Sequence, residues 1–168
     1  MENNSTDLTN EEYLERNKKA IAEYNKKAEE TVNFLKKECS RAKNAKARLL
    51  LVDDERTIRD SYSLGLRELG YEAYLAENGQ EALEKIFSYP AESGFNAVLV
   101  DNHMPVMSGE DFVKNIRQNP KYNDYSDMKV ISIGHPPSEE VRPMYDAFLK
   151  KPLELDEMDS TLEKVLLE

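Results

Sequence analysis

The chain has 168 residues, of which 39% are hydrophobic, and it carries a formal net charge of −10 at pH 7. This length predicts one domain of ordinary size with an appendage, and the acidic balance argues against a nucleic-acid partner, which would require a basic surface. No apolar run reaches the length of a membrane span, and the opening residues lack a signal-peptide pattern. The single cysteine, Cys39, excludes an internal disulfide, so we expect a cytoplasmic protein that does not bind membranes.

Residues 1–46 are predicted to form one long helical extension. A capping box of Thr9 with Glu12 marks its start, and neither Gly nor Pro interrupts it before Ala47. Apolar residues recur every seven positions at Leu14, Ile21, Ala28 and Leu35. The positions midway between them are partly polar: Asn17, Tyr24 and Thr31. This spacing predicts a coiled coil, with a second copy of the chain as the expected partner. Packing against the chain's own domain and a largely solvated helix are the alternatives.

From residue 47 to residue 168, short apolar runs alternate with segments of helical spacing. The runs predict strands at 48–52, 72–76, 97–101, 129–133 and 147–150, and the spacing predicts helices at 57–69, 80–88, from Gly109 onward and at 155–167. The first 47 residues hold ten Lys and Arg and nine Asp and Glu, so the negative charge lies mainly in this second part. Repeated strand–helix units indicate an α/β domain, in which helices cover both faces of a parallel sheet.

Charged residues lie where three of the predicted strands end. Asp53 and Asp54 follow the first strand, Asp101 ends the third, and Lys151 follows the fifth. If the strands are parallel, these side chains converge at the carboxyl edge of the sheet, where ligands of such sheets bind. Three carboxylates and one ammonium in one crevice indicate a site for a hard cation and a phosphoryl group.

A family resemblance rests on four segments that occur in order along the chain: LLLVDDE at 49–55, GYEAYLAENGQEALE at 70–84, AVLVDNHMPVMSG at 97–109, and the pair Lys151-Pro152. In this order and at these spacings, residues 47–168 resemble the receiver domain of bacterial two-component response regulators. The resemblance implies a flavodoxin-like fold with five parallel strands. It also implies a phosphoprotein that receives its phosphoryl group from a histidine kinase or a phosphotransfer protein and signals through protein contacts, not as an enzyme.

The resemblance implies a role for each charged residue of the crevice. Asp101 would accept the phosphoryl group, and Lys151 would pair with a phosphoryl oxygen. A Mg²⁺ or Mn²⁺ ion would be bound directly by Asp54 and Asp101, directly or through water by Asp53, and by the main-chain carbonyl of His103. The peptide bond after Lys151 would be cis, as it is in the family.

The end of the fourth predicted strand departs from the family pattern. Receivers usually have Thr or Ser where this chain has Gly134, which offers only a backbone N–H; Ser132 is the candidate substitute. The next position, usually small, is His135, and with Gly134 it is the predicted phosphoryl-binding element. The other histidine, His103, lies two residues after Asp101, so both histidines would flank the site. There they could screen the acyl phosphate from water, respond to pH or bind a softer metal ion.

The connection between the fourth and fifth strands is short for a receiver. Pro136, Pro137 and Pro143 interrupt it, so we expect the family's fourth helix to be reduced to a turn or two within 138–142. Phe148, three residues before Lys151, occupies the place of the family's aromatic switch residue. A buried core phenylalanine is the alternative interpretation of Phe148.

Three functions remain under consideration. The first is a stand-alone response regulator, for which we expect output by protein contact because no further domain follows the last helix in this sequence. The second is an interaction module that acts without phosphorylation, which Gly134, His135 and the short connection favour. The third is an aspartate-based phosphohydrolase, which requires a second acid two residues after the nucleophile. Only Asp53, with Glu55, meets this requirement.

Overall fold

The computed structural model describes residues 10–43, 45–90 and 94–167, and these fall into two compact units that divide after Lys43. The first unit is one helix, α1 (Asn10–Lys43), whose 34 residues make it about 50 Å long. The capping box predicted between Thr9 and the Glu12 side chain lies outside the described part of the chain. Within the described ranges, no helix combines the length and the apolar character needed to cross a membrane.

The second unit is an α/β domain built on a five-stranded parallel sheet. Its strands are β1 (Arg48–Val52), β2 (Glu72–Ala76), β3 (Ala97–Asp101), β4 (Lys129–Ile133) and β5 (Ala147–Leu149). Their spatial order is β2-β1-β3-β4-β5, and every neighbouring pair is parallel. The predicted flavodoxin-like sheet is therefore confirmed, with β5 one residue shorter than predicted.

Four helices cover the two faces of this sheet: α2 (Arg56–Glu68), α3 (Gly79–Phe87), α4 (Gly109–Gln118) and α5 (Leu155–Leu167). Because side chains alternate along an extended strand, neighbouring residues contribute to opposite layers. Leu50 and Val98 pack in a core with α3 and α4, whereas Leu49 and Leu99 pack in a second core with α2 and α5. The central strands are thus apolar on both faces, and their polar neighbours lie at the strand ends.

The connection from β4 to β5 contains no α-helix, and all of its residues are described. A turn that starts at Ser138 leads into a short 3₁₀ helix, Arg142–Met144. Arg117 of α4 holds its end, since Nε donates to the Met144 carbonyl at 3.1 Å and Nη2 donates to Asp146 Oδ2 at 2.8 Å. The predicted shortening of the family's fourth helix is confirmed, although the helical turn overlaps only the end of the predicted range 138–142.

Candidate functional site

Two aspartates at the ends of adjacent strands lie side by side. Asp53 follows β1 and Asp101 is the last residue of β3, and the register of these strands pairs Val52 with Val100. Asp53 is fully buried and Asp101 is 8% exposed. Two apolar strands therefore place both carboxylates at the carboxyl edge of the sheet, as the sequence predicts.

The Lys151 ammonium joins these two carboxylates. Its Nζ donates to Asp53 Oδ2 at 2.5 Å and to Asp101 Oδ2 at 2.6 Å, and the Lys151–Pro152 peptide bond is cis. Burial by itself lowers the pKa of Lys151, but the hydrogen bonds to Asp101 and Asp53 outweigh it and raise that pKa above its usual value. Lys151 is therefore a cation at neutral pH and offsets part of the negative charge of the site.

Asp54 completes a cluster of carboxylate oxygens. One oxygen each from Asp53, Asp54 and Asp101 lie within 4.8 Å of one another, and Asp54 is the exposed member of the three. Asp53 Oδ1 also accepts the N–H of Glu55 at 2.9 Å, and Asp101 Oδ1 accepts the N–H of His103 at 3.3 Å. An all-oxygen set with one side open to water fits Mg²⁺, which prefers one or two carboxylates with several waters.

Both histidines and Phe148 border an open cleft of about 650 Å³ that also contains Asp54 and Asp101. The rings of His103 and His135 are exposed and lie edge to face, with centroids 4.6 Å apart and an angle of 85° between their planes. Phe148 is 42% exposed, so it is not a buried core residue. The structure thus brings the predicted switch residue and both histidines to the same cleft as the acids.

Two groups considered for phosphoryl binding, the N–H of Gly134 directly after β4 and the hydroxyl of Ser132 within it, already have partners. Gly134 has a φ of +84°, and its N–H donates to the Leu149 carbonyl at 2.9 Å. Ser132, the candidate substitute, is fully buried, and its Oγ accepts a hydrogen bond from Asn102 Nδ2 at 2.9 Å. In this conformation the Gly134 N–H is already hydrogen bonded, and the Ser132 hydroxyl is buried, so neither is available to a phosphoryl oxygen.

Three residues around the acids were not predicted from the sequence. Arg59 of α2 donates to the Asp53 carbonyl at 2.6 Å, and a Cβ added to Gly109 would lie 2.4 Å from the Asp101 carbonyl oxygen. Asn102 is 5% exposed and hydrogen bonded to residues beyond β4. A polar residue beside Asp101 at the end of a buried strand was the available signal for Asn102, because buried amides need partners.

Comparison with known proteins matches residues 49–163 to the family model described as response regulator receiver domain. The chain belongs to this family. The receiver is 38% identical over 78 residues to the chemotaxis protein CheY1 of Helicobacter pylori, a match that covers 46% of this chain and 60% of that protein. The chain spans only 31%, 28% and 60% of the length of three of its curated relatives.

Solved structures of other receivers have the same fold. The chemotaxis response regulator CheY4 of Vibrio cholerae is 31% identical with a TM-score of 0.60, and the match covers 71% of this chain and 98% of that one. The response regulator TrrA of Thermotoga maritima, solved in complex with Mg²⁺-BeF, is 33% identical with a TM-score of 0.57 over the same shares of the two chains. Receiver domains are signalling modules, and this chain is an atypical member with an N-terminal helix and a short β4–β5 connection.

Proposed function

We propose that this receiver accepts a phosphoryl group on Asp101 from a histidine kinase or a phosphotransfer protein, with Mg²⁺, or Mn²⁺ in its place, as the cofactor. The observation that carries the proposal is the Lys151 ammonium, which bridges Asp101 and the buried Asp53 at 2.6 and 2.5 Å. Together with the exposed Asp54, these groups provide a carboxylate nucleophile, oxygen ligands for a cation and a donor for phosphoryl oxygens. The Mg²⁺-BeF complex of TrrA supports the same class of ligand for this site.

Transfer to Asp101 forms one bond and breaks another. A carboxylate oxygen of Asp101 bonds to phosphorus while the bond from phosphorus to the donor's imidazole nitrogen breaks, so no proton has to leave Asp101. Asp53, Asp54, Asp101 and the main-chain carbonyl of His103 would hold the cation, which when bound offsets the repulsion between carboxylate and phosphate. Lys151, which now donates to Asp101, would pair with a phosphoryl oxygen of the product.

Contact with other proteins is the proposed output, and α1 is proposed to pair two copies of the chain in the cytoplasm. Large apolar side chains of α1 are exposed: Leu14, Ile21 and Tyr24 are 57%, 60% and 74% accessible. Leu14 and Ile21 are seven residues apart and lie on one face of the helix, where a second copy would bury them. Asn17 interrupts this seam, so the proposed association is modest.

A second candidate function is an interaction module whose contacts do not depend on phosphorylation. The observation that favours it is at Gly134, where the family's usual hydroxyl is missing and the N–H is already bonded to Leu149. In a receiver of this second kind, phosphorylation of Asp101 would leave the affinity for the partner protein unchanged. By contrast, a phosphohydrolase with Asp53 as nucleophile is not favoured, because that carboxylate is fully buried and bonded to Lys151 and to the Glu55 N–H.

Intact mass spectrometry after incubation with acetyl phosphate tests the proposal. We expect wild type to gain one phosphoryl group with Mg²⁺ and none with a chelator. Asp101→Asn should gain none, whereas Asp60→Asn, a change at an exposed residue of α2, should react as wild type does. An adduct of equal yield on Asp101→Asn, or no adduct on wild type under any metal condition, would overturn the assignment.

A further inference from the structure

Asn102 directly follows the proposed acceptor, Asp101, and its side chain is hydrogen bonded to β4 and to the chain beyond it. Its Nδ2 donates to Ser132 Oγ at 2.9 Å and to the His135 carbonyl at 2.6 Å, and its Oδ1 accepts from the Tyr145 hydroxyl at 2.7 Å. Both amide hydrogens are therefore used inside the fold. Asn102 is 5% exposed, and an unmade bond at such a depth is costly, so the amide and its partners have to move together.

His135 and Tyr145 lie near the two ends of the β4–β5 connection, here taken as residues 135–146. This connection lacks an α-helix, and hydrogen bonds to α4 help to hold it in place. The Ser138 N–H and hydroxyl donate to the two carboxylate oxygens of Glu110 at 2.7 and 3.1 Å, and Arg117 donates to the Met144 carbonyl at 3.1 Å. The side-chain amide of Asn102, the residue directly after β3, contacts both ends of the connection.

The Tyr145 hydroxyl is suited to a permanent donor role. Tyr145 is half-buried, and burial, followed by the nearby Glu110 and Asp111 carboxylates, raises the pKa of its hydroxyl above the usual value. The hydroxyl therefore keeps its proton over the physiological range. It can therefore donate to Asn102 Oδ1, as it does here at 2.7 Å, throughout that range.

We propose that Asn102 and Tyr145 are positioning residues that couple the state of Asp101 to the β4–β5 connection, in place of the hydroxyl that Gly134 lacks. This inference rests on the proposed phosphorylation of Asp101. A phosphoryl group on Asp101 moves the Lys151 ammonium from the carboxylate to a phosphoryl oxygen, and it perturbs the His103 N–H that now donates to Asp101 Oδ1 at 3.3 Å. Asn102 lies between Asp101 and His103 in the chain. Its side-chain amide therefore shifts and carries the two ends of the connection with it.

Amide hydrogen exchange of the full chain, with and without beryllofluoride and Mg²⁺, tests the coupling. In wild type we expect exchange within residues 135–146 to change by about fivefold or more, a typical coupling between sites. Tyr145→Phe should abolish that difference and still take up a phosphoryl group from acetyl phosphate to the wild-type extent. Tyr125→Phe is the matched control, because its half-buried hydroxyl donates to the Tyr89 carbonyl at 2.9 Å in another part of the domain.

The affinity for beryllofluoride separates coupling from simple loosening of the connection. Because wild type uses part of its binding free energy to rearrange residues 135–146, a variant that no longer rearranges them should bind beryllofluoride about fivefold more tightly than wild type. Loosening alone leaves this affinity unchanged and would overturn the inference, as would a wild-type exchange response in Tyr145→Phe. If wild type itself takes no phosphoryl group on Asp101, the proposed function fails and this inference falls with it.

Discussion

A side chain at residue 134 is expected to destabilise this receiver, even though Thr or Ser is usual there in the family. Gly134 has a φ of +84°, and a Cβ added to it would lie 3.2 Å from Asp101 Oδ1 and 3.3 Å from Lys151 Cδ. An L side chain in this conformation costs about 1–2 kcal/mol, of which the lower unfolded-state entropy of Ala offsets about 0.4–1 kcal/mol. Crowding the ion pair adds about 1–3 kcal/mol, the usual range for overpacking.

Gly70 provides the matched control for backbone strain without crowding. Its φ is +92°, and the nearest atom to an added Cβ is Lys46 Cγ at 3.8 Å, which is an ordinary contact. We expect Gly70→Ala to lower the free energy of unfolding by about 1 kcal/mol and Gly134→Ala to lower it by about 2–3 kcal/mol. Gly134→Thr should be worse than Gly134→Ala, because a β-branched residue at positive φ is strained further.

Urea unfolding of the full chain at pH 7 measures these differences, with midpoints compared at a common slope. Formation of the acetyl phosphate adduct is the second readout. It should slow in Gly134→Ala, whose new Cβ contacts the acceptor carboxylate, and stay unchanged in Gly70→Ala. If Gly134→Ala is as stable as Gly70→Ala, or Gly134→Thr is more stable than wild type, the reasoning about this position is wrong.

Three further predictions concern the metal, an ion pair and the unit boundary. Asp54→Ala should weaken Mg²⁺ binding in a calorimetric titration far more than Asp60→Ala, and equal effects would remove the site as described. Hydrogen bonds from Lys46 and from a tyrosine hydroxyl lower the pKa of Asp159, so its stabilisation is present above the unfolded pKa of 3.8 and is lost as pH falls. Asp159→Asn should therefore be less stable than wild type at pH 7, and the gap in urea midpoint should close below pH 3.8; a gap independent of pH would refute this. Deleting the first 43 residues should leave a receiver that sediments as a monomer. Deleting the first 46 residues should destabilise the receiver, because the ion pair of Lys46 with Asp159 is lost. A dimer that forms without α1 would place the interface on the receiver.

The sheet could be predicted almost residue by residue because its strands are buried on both faces. Runs such as Leu49 to Val52 and Ala97 to Val100 are apolar throughout, and each ends at a carboxylate, which marks the carboxyl edge. The proximity of Asp53, Asp101 and Lys151 could be predicted for the same reason, because parallel strands place their carboxyl ends at one edge of the sheet. An apolar run that ends at a charged residue is thus sufficient to predict where that residue lies.

Contacts that depend on packing between distant segments could not be predicted. Nothing near Asn102 in the sequence shows that Tyr145, 43 residues later, donates to it. The sequence predicts a boundary after Lys46, whereas the two compact units divide after Lys43. Nothing in the local sequence indicates that the Lys46 ammonium donates to Asp159 Oδ1 at 3.0 Å, 113 residues away. Phe148 is 42% exposed, whereas its local sequence left both an exposed switch residue and a buried core residue open.

Chemical trapping of the acyl phosphate tests the central claim most directly. Borohydride reduction converts a phosphorylated aspartate to homoserine, so peptide mass spectrometry after treatment with acetyl phosphate and Mg²⁺ identifies the modified residue. We predict homoserine at residue 101 alone, dependent on Mg²⁺ and absent from Asp101→Asn. Homoserine at Asp53 or Asp54 in wild type, or its complete absence while a mass adduct persists, would contradict the assignment of Asp101 as the acceptor.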